Sequence, residues 1–460
     1  MIHKRNIRRF SFVLVLILLL AGCSFAPRDQ QQGEQPEGRM ALVDPYEEGD
    51  SPGRPENPSA ADQDALSGIG AIRTSAVVPA YNFRNNTPRM QRVTGEVRGV
   101  WISFLEFEHL LRGRTREEFT ANIRGVLDTC ANYGINTVIV QVRPFADALY
   151  PSAYFPWSQF AAGTEGVNPG FDPLAIMIDE AHARGMRFEA WINPYRIRAA
   201  GSTVPKSDCN PAVRWLNEGN PAVISYNGII SYNPACPEAR RLIVNGVREI
   251  VRNYSVDAIH IDDYFYPTTS EGFDADSYGA YLAGGGIRSL DDWRRHNVET
   301  LLREMYSAIK EEDPGVMFGI SPQSSIHNNF NYLYLDVARI AGRPGYADYI
   351  MPQIYFGFSH ATQPFQQVLQ EWNALVNPNY VRLYIGLAAY KSGLEDTWAG
   401  DGRNEWIENT DLLRRMVQSS RGMSNYSGFV LFRYDSLFAP AQSVASHVER
   451  EYRNLRAILD

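Results

Sequence analysis

The stretch of sequence that decides the fold is Asp257-Ala-Ile-His-Ile-Asp-Asp-Tyr-Phe-Tyr-Pro267. Its first half alternates apolar and polar residues, as a strand does, and it ends in two adjacent acids, Asp262 and Asp263, followed by three aromatic residues. Asp and Pro are also common in surface turns, so a turn is the simpler interpretation of the stretch by itself. Paired acids and aromatic rings at the end of a buried strand are typical of a carbohydrate site, and the other strands favour that second interpretation.

Short apolar runs recur from residue 96 onward and alternate with helical stretches, which is the pattern of β-α-β units in a parallel sheet. The predicted strands are Val97–Ser103, Asn136–Val142, Met186–Asn193, Val256–Asp262, Val316–Ser321, Tyr349–Ile354, Val381–Ala388 and Ser427–Phe432. The predicted helices lie near residues 116–133, 173–184, 238–253, 291–312, 331–341, 363–375, 404–419 and 441–456. Eight such units predict an α/β fold, a (β/α)₈ barrel of the TIM type. A doubly wound open sheet is the alternative, but no glycine-rich nucleotide turn follows the first strand.

The predicted connections differ in length. Those that follow the second, third and fourth strands, residues 143–172, 194–237 and 263–290, are long, whereas the turns that lead back into strands are short. In a barrel the long connections share the carboxyl-terminal face, which is where active sites lie. We therefore expect enlarged loops, and the functional site, on that face.

The amino-terminal residues have the pattern of an export signal. Four Lys and Arg residues among the first nine precede an apolar run over residues 10–20, and Leu20-Ala-Gly-Cys23 is similar to the lipobox of bacterial lipoproteins. This similarity implies lipidation of Cys23 and a membrane lipid-anchored, extracytoplasmic location; an ordinary signal peptide with a chance cysteine is the alternative. The predicted organisation is a lipoprotein signal peptide (1–22), a disordered tether rich in Pro, Gly and Glu (23–92) and the barrel (93–460).

The composition limits the partners. A net charge of −8 disfavours nucleic acid, and 25 Tyr with 8 Trp suit flat ligands with polar edges such as sugar rings. No Cys and His spacing suggests zinc, and no cofactor is predicted. Cys209 and Cys236 fall in one long connection, where a disulfide between them is an open alternative to two free thiols.

Period-two alternation assigns the polar residues of each strand to one face, which points into the barrel because the Val and Ile faces must meet the helices. The residues assigned to this inner face are Gln141, Arg143, Glu189, Trp191, Asn193, His260, Asp262, Gln353 and Tyr355, and Arg433 follows the last strand. Asn193, Asp262 and Arg143 stand at strand ends, at the mouth. Glu189 lies about 13 Å deeper than Asn193 at ~3.3 Å per residue, so we predict a structural role for it, paired with Arg143 or His260.

Asp262 is the leading catalytic candidate because it points inward at the mouth. Glycoside hydrolysis usually requires two carboxyl groups. Asp263 is adjacent, and neighbours on a strand point to opposite sides, although this constraint loosens beyond the strand end. The second carboxylate could instead be Asp147, Glu106, Asp435 or another loop acid, and the sequence does not choose among them.

Ordered motifs over residues 94–440 resemble the glycosyl-hydrolase-like 10 family. They are Glu96-Val-Arg-Gly-Val-Trp-Ile-Ser103, Asn136-Thr-Val-Ile-Val-Gln-Val-Arg-Pro144, Asp147-Ala-Leu-Tyr-Pro-Ser152, Asp172-Pro-Leu-Ala175 with Glu180-Ala-His182, Trp191-Ile-Asn-Pro-Tyr-Arg196, His260-Ile-Asp-Asp-Tyr264 and Met351-Pro-Gln-Ile-Tyr355. The resemblance implies a (β/α)₈ barrel in exported bacterial proteins, often lipoproteins, in a family that includes an enzyme hydrolysing peptidoglycan strands that lack stem peptides. It also implies functional positions at Arg143, Asp147, Tyr150, Asn193, Arg196, Asp262, Asp263, Tyr264, Gln353 and Tyr355. Phe356 departs from the family pattern, which has Trp there.

The leading hypothesis is a lipid-anchored glycoside hydrolase whose substrate is a cell-wall polysaccharide and whose acids are Asp262 and Asp263. The predicted substrate-binding residues are Arg143, Asp147, Tyr150, Asn193, Tyr195, Arg196, His260, Tyr264, Gln353, Tyr355 and Arg433, and Phe265 and Tyr266 are expected to stack on sugar rings with Tyr264. A non-catalytic glycan-binding lipoprotein is the main alternative. A metal-dependent hydrolase that uses the acidic loop Asp274-Ala-Asp276 is a weaker one.

Overall fold

The computed structural model describes residues 95–198, 202 and 206–459 of the chain. The strands are β1 Val97–Ile102, β2 Thr137–Arg143, β3 Arg187–Ile192, β4 Val223–Tyr226, β5 Ile229–Tyr232, β6 Ala258–Ile261, β7 Met317–Ile320, β8 Tyr349–Ile350, β9 Gln353–Ile354, β10 Arg382–Leu387 and β11 Tyr426–Leu431. The helices are α1 Phe104–Leu110, α2 Arg116–Asn132, α3 Gln159–Ala162, α4 Pro173–Ala183, α5 Pro211–Glu218, α6 Pro237–Asn253, α7 Ala275–Ala283, α8 Leu290–Glu312, α9 Ile326–Asn331, α10 Val337–Gly342, α11 Phe365–Leu375, α12 Glu405–Glu408, α13 Leu412–Arg421, α14 Tyr434–Phe438 and α15 Ala445–Arg456. Single 3₁₀ turns occur at Ala389–Lys391 and Gly400–Gly402.

The parallel sheet closes into a barrel with eight strand positions. Its order is β11-β1-β2-β3-β6-β7-β8-β10-β9, and β10 also pairs with β11, which closes the ring. The short strands β8 and β9 both pair with β10 and share the sixth position, interrupted at Met351 and Pro352. Proline has no N–H to offer a neighbouring strand, which accounts for the interruption. The predicted (β/α)₈ barrel is therefore confirmed, and β4 and β5 form a separate antiparallel hairpin in the loop after β3.

The two faces of the barrel strands pack as alternation requires. Val138, Val140 and Val142 of β2 belong to the large core between strands and helices, whereas Ile139 belongs to a smaller cluster inside the barrel. The inner cluster also contains Val97, Trp101, Trp191, Ala258, Tyr349, Met351, Tyr384 and Val430. A Cβ at Gly319 would lie 1.7 Å from Cζ of Tyr349, so this ring fits inside the barrel only because β7 has glycine there.

Helix boundaries follow local sequence signals. Helix α2 begins at a capping box in which Thr115 and Glu118 exchange hydrogen bonds with each other's backbone N–H. Gly134 and Gly185, which follow α2 and α4, have φ of +76° and +69°, as is usual for a helix C′ position. Two predicted helices differ from the structure. Residues 332–336 are not helical, so the predicted helix 331–341 is reduced to α10, and residues 404–419 are divided between α12 and α13.

The predictions about export concern the amino-terminal segment, and the disulfide prediction concerns a loop of the barrel. The signal peptide, Cys23 and the tether lie outside the described residues. In the described ranges, no helix is both long enough and apolar enough to cross a membrane. Cys209 and Cys236 are both free thiols, so the disulfide alternative is not realised in the structure.

Candidate active site

The acid pair lies directly after β6, on the carboxyl-terminal face of the barrel. Asp262 is 6% exposed, and its Oδ1 accepts hydrogen bonds from Nδ2 of Asn193 at 2.5 Å and from the backbone N–H of Tyr264 at 3.3 Å. Both bonds go to Oδ1, so Oδ2 is the oxygen available to carry a proton. The predicted position of Asp262, inward at the mouth, matches this placement.

A chain of side-chain amides fixes Asn193, the partner of Asp262. Oδ1 of Asn193 accepts hydrogen bonds from Nε2 of Gln141 at 2.5 Å and from Nη2 of Arg196 at 3.1 Å. Oε1 of Gln141 in turn accepts the backbone N–H of Phe104 at 3.1 Å. The ends of β1, β2, β3 and β6 are therefore connected through side chains, and Asp262 is held in one position.

Asp263 is held by two other strand ends. Its Oδ1 accepts a hydrogen bond from Nε2 of Gln353, and its Oδ2 accepts one from Nε2 of Gln323, both at 3.1 Å. Gln353 also donates to the carbonyl of Ser321 at 3.0 Å. The chain thus turns after β6 so that both acids stay at the mouth, with Asp262 directed toward β3 and Asp263 toward β7 and β9.

The surroundings of Asp262 raise the pKa of its carboxyl group. Burial, followed by the negative charge of Asp263, raises the pKa of Asp262 to about 7. The cation of Arg196 and the hydrogen bonds from Asn193 and Tyr264 act in the opposite direction but do not cancel the effect. Asp262 therefore holds a proton close to neutral pH and can donate it.

Aromatic rings border the acids on two sides. The guanidinium of Arg196 lies over Tyr264 at 4.0 Å and over Phe145 at 4.7 Å, and Tyr264 is 38% exposed. On the opposite side, Tyr355 stacks on Phe432 with ring centroids 5.8 Å apart. Burial raises the pKa of Tyr355 well above its usual value, and the charges of both acids add to this. The mouth thus combines two carboxyl groups, amide side chains and ring faces.

The comparisons with known proteins identify the family. A model of the family described as glycosyl hydrolase-like 10 matches residues 96–399 of the chain. The chain belongs to the glycosyl hydrolase-like 10 family. It is 36% identical over 359 residues to glycosyl hydrolase YngK of Bacillus subtilis (strain 168), covering 72% of this chain and 68% of YngK. It is 34% identical over 360 residues to glycosyl hydrolase DigH of Escherichia coli (strain K12), covering 71% of this chain and 78% of DigH. Family membership supports a glycosidase function.

Two solved structures share the barrel fold. The glycoside hydrolase domain of PgaB (BpsB) from Bordetella bronchiseptica aligns with a TM-score of 0.51 at 12% identity, over 77% of this chain and 99% of that domain. The catalytic domain of β-amylase from Paenibacillus polymyxa aligns with a TM-score of 0.50 at 12% identity, over 79% of this chain and 98% of that domain. At this identity the likeness concerns the fold alone.

Seven of the residues predicted to form the functional site lie at the mouth of the barrel. They are Asn193, Arg196, Asp262, Asp263, Tyr264, Gln353 and Tyr355. The sequence reasoning missed Gln323, which holds Asp263. A signal for it was present, because Ser321-Pro-Gln323 and Met351-Pro-Gln353 place the same Pro-Gln pair after neighbouring strands. Two strand ends with the same polar dipeptide indicate side chains that converge at one edge of the barrel.

Arg143 departs from the alternation that predicts it on the inner face. The pairing of β2 with β3 shifts register between Gln141 and Arg143, and the guanidinium stacks on Phe155 at 4.3 Å. A Cβ at Gly246 of α6 would lie 2.6 Å from Nη1 of Arg143, so the side chain points into the helix layer. The prediction of an inward Arg143 is therefore wrong, and a direct contact with substrate is not supported.

Asp147 and Tyr150 are also interior side chains. Both are fully buried, and Asp147 lies 3.8 Å from the ammonium group of Lys206, which pairs with Glu165 at 2.7 Å. Burial raises the pKa of the Tyr150 phenol, which lies beside Arg143. These residues support the loops behind the mouth and, in this structure, have no surface to offer a glycan.

Tyr195 and His260 are buried as well, in different layers. Tyr195 is 1% exposed and lies near Arg240 and Glu304, on α6 and α8. His260 lies inside the barrel, where Nε2 accepts the indole N–H of Trp101 at 3.3 Å and Nδ1 lies 2.8 Å from the hydroxyl of Tyr349. Burial lowers the pKa of His260 to about 3, so the ring is neutral. Neither side chain reaches the mouth, contrary to the prediction that they bind substrate.

Glu189 is structural, as predicted, but its partners differ from those predicted. It lies 3.1 Å from Nη2 of Arg187 and accepts the hydroxyl of Tyr349 at 2.5 Å, rather than pairing with Arg143 or His260. Tyr349 accepts from His260 and donates to Glu189, so these polar groups form one hydrogen-bonded chain in the barrel interior. Such a chain offsets the cost of burying them.

The alternative second carboxylates are committed to other contacts. Glu106 is fully buried and forms a capping box with Ser103. It also accepts a hydrogen bond from the guanidinium of Arg433, so this guanidinium, predicted to bind substrate, is already paired. Asp435 lies 3.7 Å from Arg433, and burial together with the charge of Glu106 raises its pKa. Of these acids, Asp263 is the one whose charge acts on Asp262.

Two further expectations are corrected. Phe265 and Tyr266 are 3% and 2% exposed, so they are core residues and only Tyr264 of the three aromatics is open to a ligand. Asp274 forms a fully buried ion pair with Arg294 at 2.5 Å, which removes it from the proposed acidic metal loop. Within residues 95–198, 202 and 206–459, no group of three or more His, Cys, Asp or Glu could hold a metal ion.

Proposed function

We propose that this protein hydrolyses a cell-wall glycan of the peptidoglycan type, with Asp262 as the proton donor. The observation that carries the proposal is the pair of adjacent acids at the barrel mouth, of which one has a pKa raised to about 7. A general acid works best when its pKa lies near the working pH. A buried carboxyl group next to a second, hydrogen-bonded carboxylate meets that requirement.

The proposed chemistry follows from the contacts of each acid. Asp262 transfers its proton from Oδ2 to the glycosidic oxygen as the bond between that oxygen and the anomeric carbon breaks. Asp263 faces the positive charge that develops at the anomeric carbon and acts as base toward water or as nucleophile. The amide groups of Gln323 and Gln353 fix the direction of its two oxygens at 3.1 Å each.

The substrate class rests on the polar groups at the mouth and on the amino terminus. Gln353, which is only half-buried, presents an amide that suits hydroxyl and N-acetyl groups, and Tyr264 presents an exposed ring. We further propose export and lipid anchoring through Cys23, which would hold the barrel outside the cytoplasm near the wall polymer. The B. subtilis and E. coli relatives are named as glycosyl hydrolases, which agrees with this reaction type.

The test compares Asp262→Asn and Asp263→Asn with the unmodified protein on purified glycan strands that lack stem peptides. New reducing ends are measured, and the products are identified by mass spectrometry. Asp276→Asn is the matched control, because Asp276 is an exposed acid on nearby α7. We expect a loss of at least about 100-fold for each mouth variant, as is usual when a general acid or base is removed. Full activity in both mouth variants would show that the assignment is wrong.

A glycan-binding protein without catalysis is the second candidate. It is favoured by the exposed Tyr264 ring and the cation of Arg196 stacked on it, since these contacts bind a sugar without any proton transfer. Glycan binding by the unmodified protein with no new reducing ends, across several wall preparations, would favour this candidate over the hydrolase.

A further inference from the structure

The loop after β10 carries an exposed tryptophan that the acid pair does not use. Trp398 is 71% exposed, more than any other aromatic side chain that the described residues expose. Because this loop follows the carboxyl end of a barrel strand, it belongs to the same face as Asp262 and Asp263. Single exposed apolar side chains are common on protein surfaces, so what distinguishes Trp398 is its place on this face and the anchoring of its loop.

The loop starts at the site itself. Tyr390, at the beginning of the loop, lies with its ring 5.8 Å from that of Tyr355 and 6.0 Å from that of Phe432. These are the rings that border the acid pair on one side. Trp398 lies eight residues further along the same loop, which therefore carries one ring beside the site and one exposed ring.

The loop is fixed by internal contacts and by its neighbour. Nζ of Lys391 pairs with Oδ2 of Asp396 at 2.6 Å, and both side chains are largely buried. The residue directly after Trp398, Ala399, accepts the N–H of Ala361 through its carbonyl at 3.0 Å, which joins the loop to the one that follows β9. An exposed tryptophan in a loop held in this way loses little conformational entropy when a ligand covers it.

A second joint lies further along the loop. The carboxylate of Glu405 accepts the N–H of Phe358 at 3.2 Å and that of Ser359 at 2.8 Å. Gly402 packs so closely on this segment that a Cβ there would lie 2.4 Å from the carbonyl oxygen of Ser359. Trp398 is thus exposed although the backbone on both sides of it is anchored, so its exposure does not come from a loose loop.

We infer that Trp398 forms a distal saccharide subsite, a ring platform that binds a sugar unit of the same glycan strand away from the cleaved bond. The inference rests on the proposed function, since the occupant is the glycan cleaved at Asp262. Tryptophan offers a large apolar face and one N–H donor, which suits the apolar face and polar edge of a pyranose ring. The subsite favours long strands because a short oligosaccharide that fills the mouth does not reach the rim.

The test measures binding rather than turnover. All proteins carry Asp262→Asn so that the ligand is not cleaved. Calorimetry measures the binding of a peptide-free tetrasaccharide and of strands of about twenty sugars to three proteins: one with Trp398, one with Trp398→Ala and one with Trp398→Phe. We expect Trp398→Ala to weaken binding of the long strands about tenfold, the usual scale for a buried tryptophan contact, and to leave the tetrasaccharide unchanged. Trp398→Phe should restore most of the affinity because it keeps a ring.

Tyr380→Ala is the matched control, since Tyr380 is 49% exposed but precedes β10, at the opposite end of the barrel. Equal losses for short and long ligands, or no loss for either, would overturn the inference. So would a Trp398→Ala variant that changes only the binding to phosphatidylglycerol vesicles, which would identify a lipid surface as the occupant. Retained hydrolysis in the Asp262 and Asp263 variants would refute the proposed chemistry while leaving the length-dependent binding intact, so the two failures are distinguishable.

Discussion

Two charges of opposite sign act on Asp262, and this allows a prediction with two opposite outcomes. Asp263 raises the pKa of Asp262, whereas the cation of Arg196 lowers it. Replacing Asp263 with Asn removes the anion, and replacing Arg196 with Gln removes the cation. The first change should therefore lower the pKa of Asp262, and the second should raise it.

The magnitude follows from the size of the interaction. The pKa of Asp262 is raised from 3.8 to about 7, and burial is its largest cause, so each charge contributes only part of the change. Two unit charges about 6 Å apart interact by ~3 kcal/mol at an effective dielectric constant of about 20, and relaxation and salt reduce this. At about 1.4 kcal/mol per pKa unit, we expect each variant to shift the pKa by about one unit.

The assay is the pH dependence of kcat. A general acid must be protonated, so activity is lost as the pH rises through its pKa. The falling limb should lie at about pH 7 in the unmodified protein, at about pH 8 in Arg196→Gln and at about pH 6 in the residual activity of Asp263→Asn. Carbon-13 titration of the Asp262 carboxyl group provides the same pKa independently of turnover.

Two controls separate charge from packing. Arg196→Lys keeps the cation but loses the flat group that lies over Tyr264, so its limb should stay near that of the unmodified protein. Asp276→Asn removes an acid outside the mouth and should leave the limb in place. Shifts of Arg196→Gln and Asp263→Asn in the same direction, or no shift in either, would refute the electrostatic account of Asp262.

Three further predictions concern stability and the second acid. Gly246→Ala places a Cβ 2.6 Å from Nη1 of Arg143, so we expect denaturant unfolding to show a loss of about 1–3 kcal/mol, and an unchanged midpoint would contradict the packing described. Asp274→Ala leaves the buried Arg294 without its counterion and should cost about 3–5 kcal/mol by the same measurement, whereas a mild loss would mean that the pair is more hydrated than the structure shows. Gln323→Ala removes one hydrogen bond to Asp263 and should lower kcat about tenfold with little change in KM; a change confined to KM would assign Gln323 to substrate binding instead.

The barrel could be predicted because its signal is repeated along the chain. Each βα unit independently supplies an apolar strand and an amphipathic helix, so an error at one boundary does not change the topology. The predicted helix 331–341, of which residues 332–336 are not helical, is such a local error. Asp262 was predictable for a related reason, because period-two alternation and the position at a strand end together define both its direction and its depth.

Arg143 could not be predicted in the same way. Alternation holds only while the strand pairs regularly, and β2 changes register against β3 between Gln141 and Arg143. The sequence contains no local mark of that shift. The guanidinium of Arg143 occupies space left by a residue far away in the sequence, Gly246 of α6. The direction in which a side chain points after a strand end is thus determined by tertiary packing. The same holds for Asp263, which Gln323 and Gln353 hold at the mouth.

The family resemblance groups positions that the structure separates into two kinds. Arg143, Asp147 and Tyr150 are fully interior, whereas Asp262 and Asp263 stand at the mouth between amide donors. A sequence motif identifies a position as functionally important. It does not show whether the side chain contacts the ligand or supports the loop that contacts it. Two neighbouring carboxyl groups acquire different roles here because burial and Asn193 act on one and two glutamine amides act on the other. The chemistry of the site therefore depends on which partners the fold brings to each acid, and variants of those partners test it more sharply than variants of the acids alone.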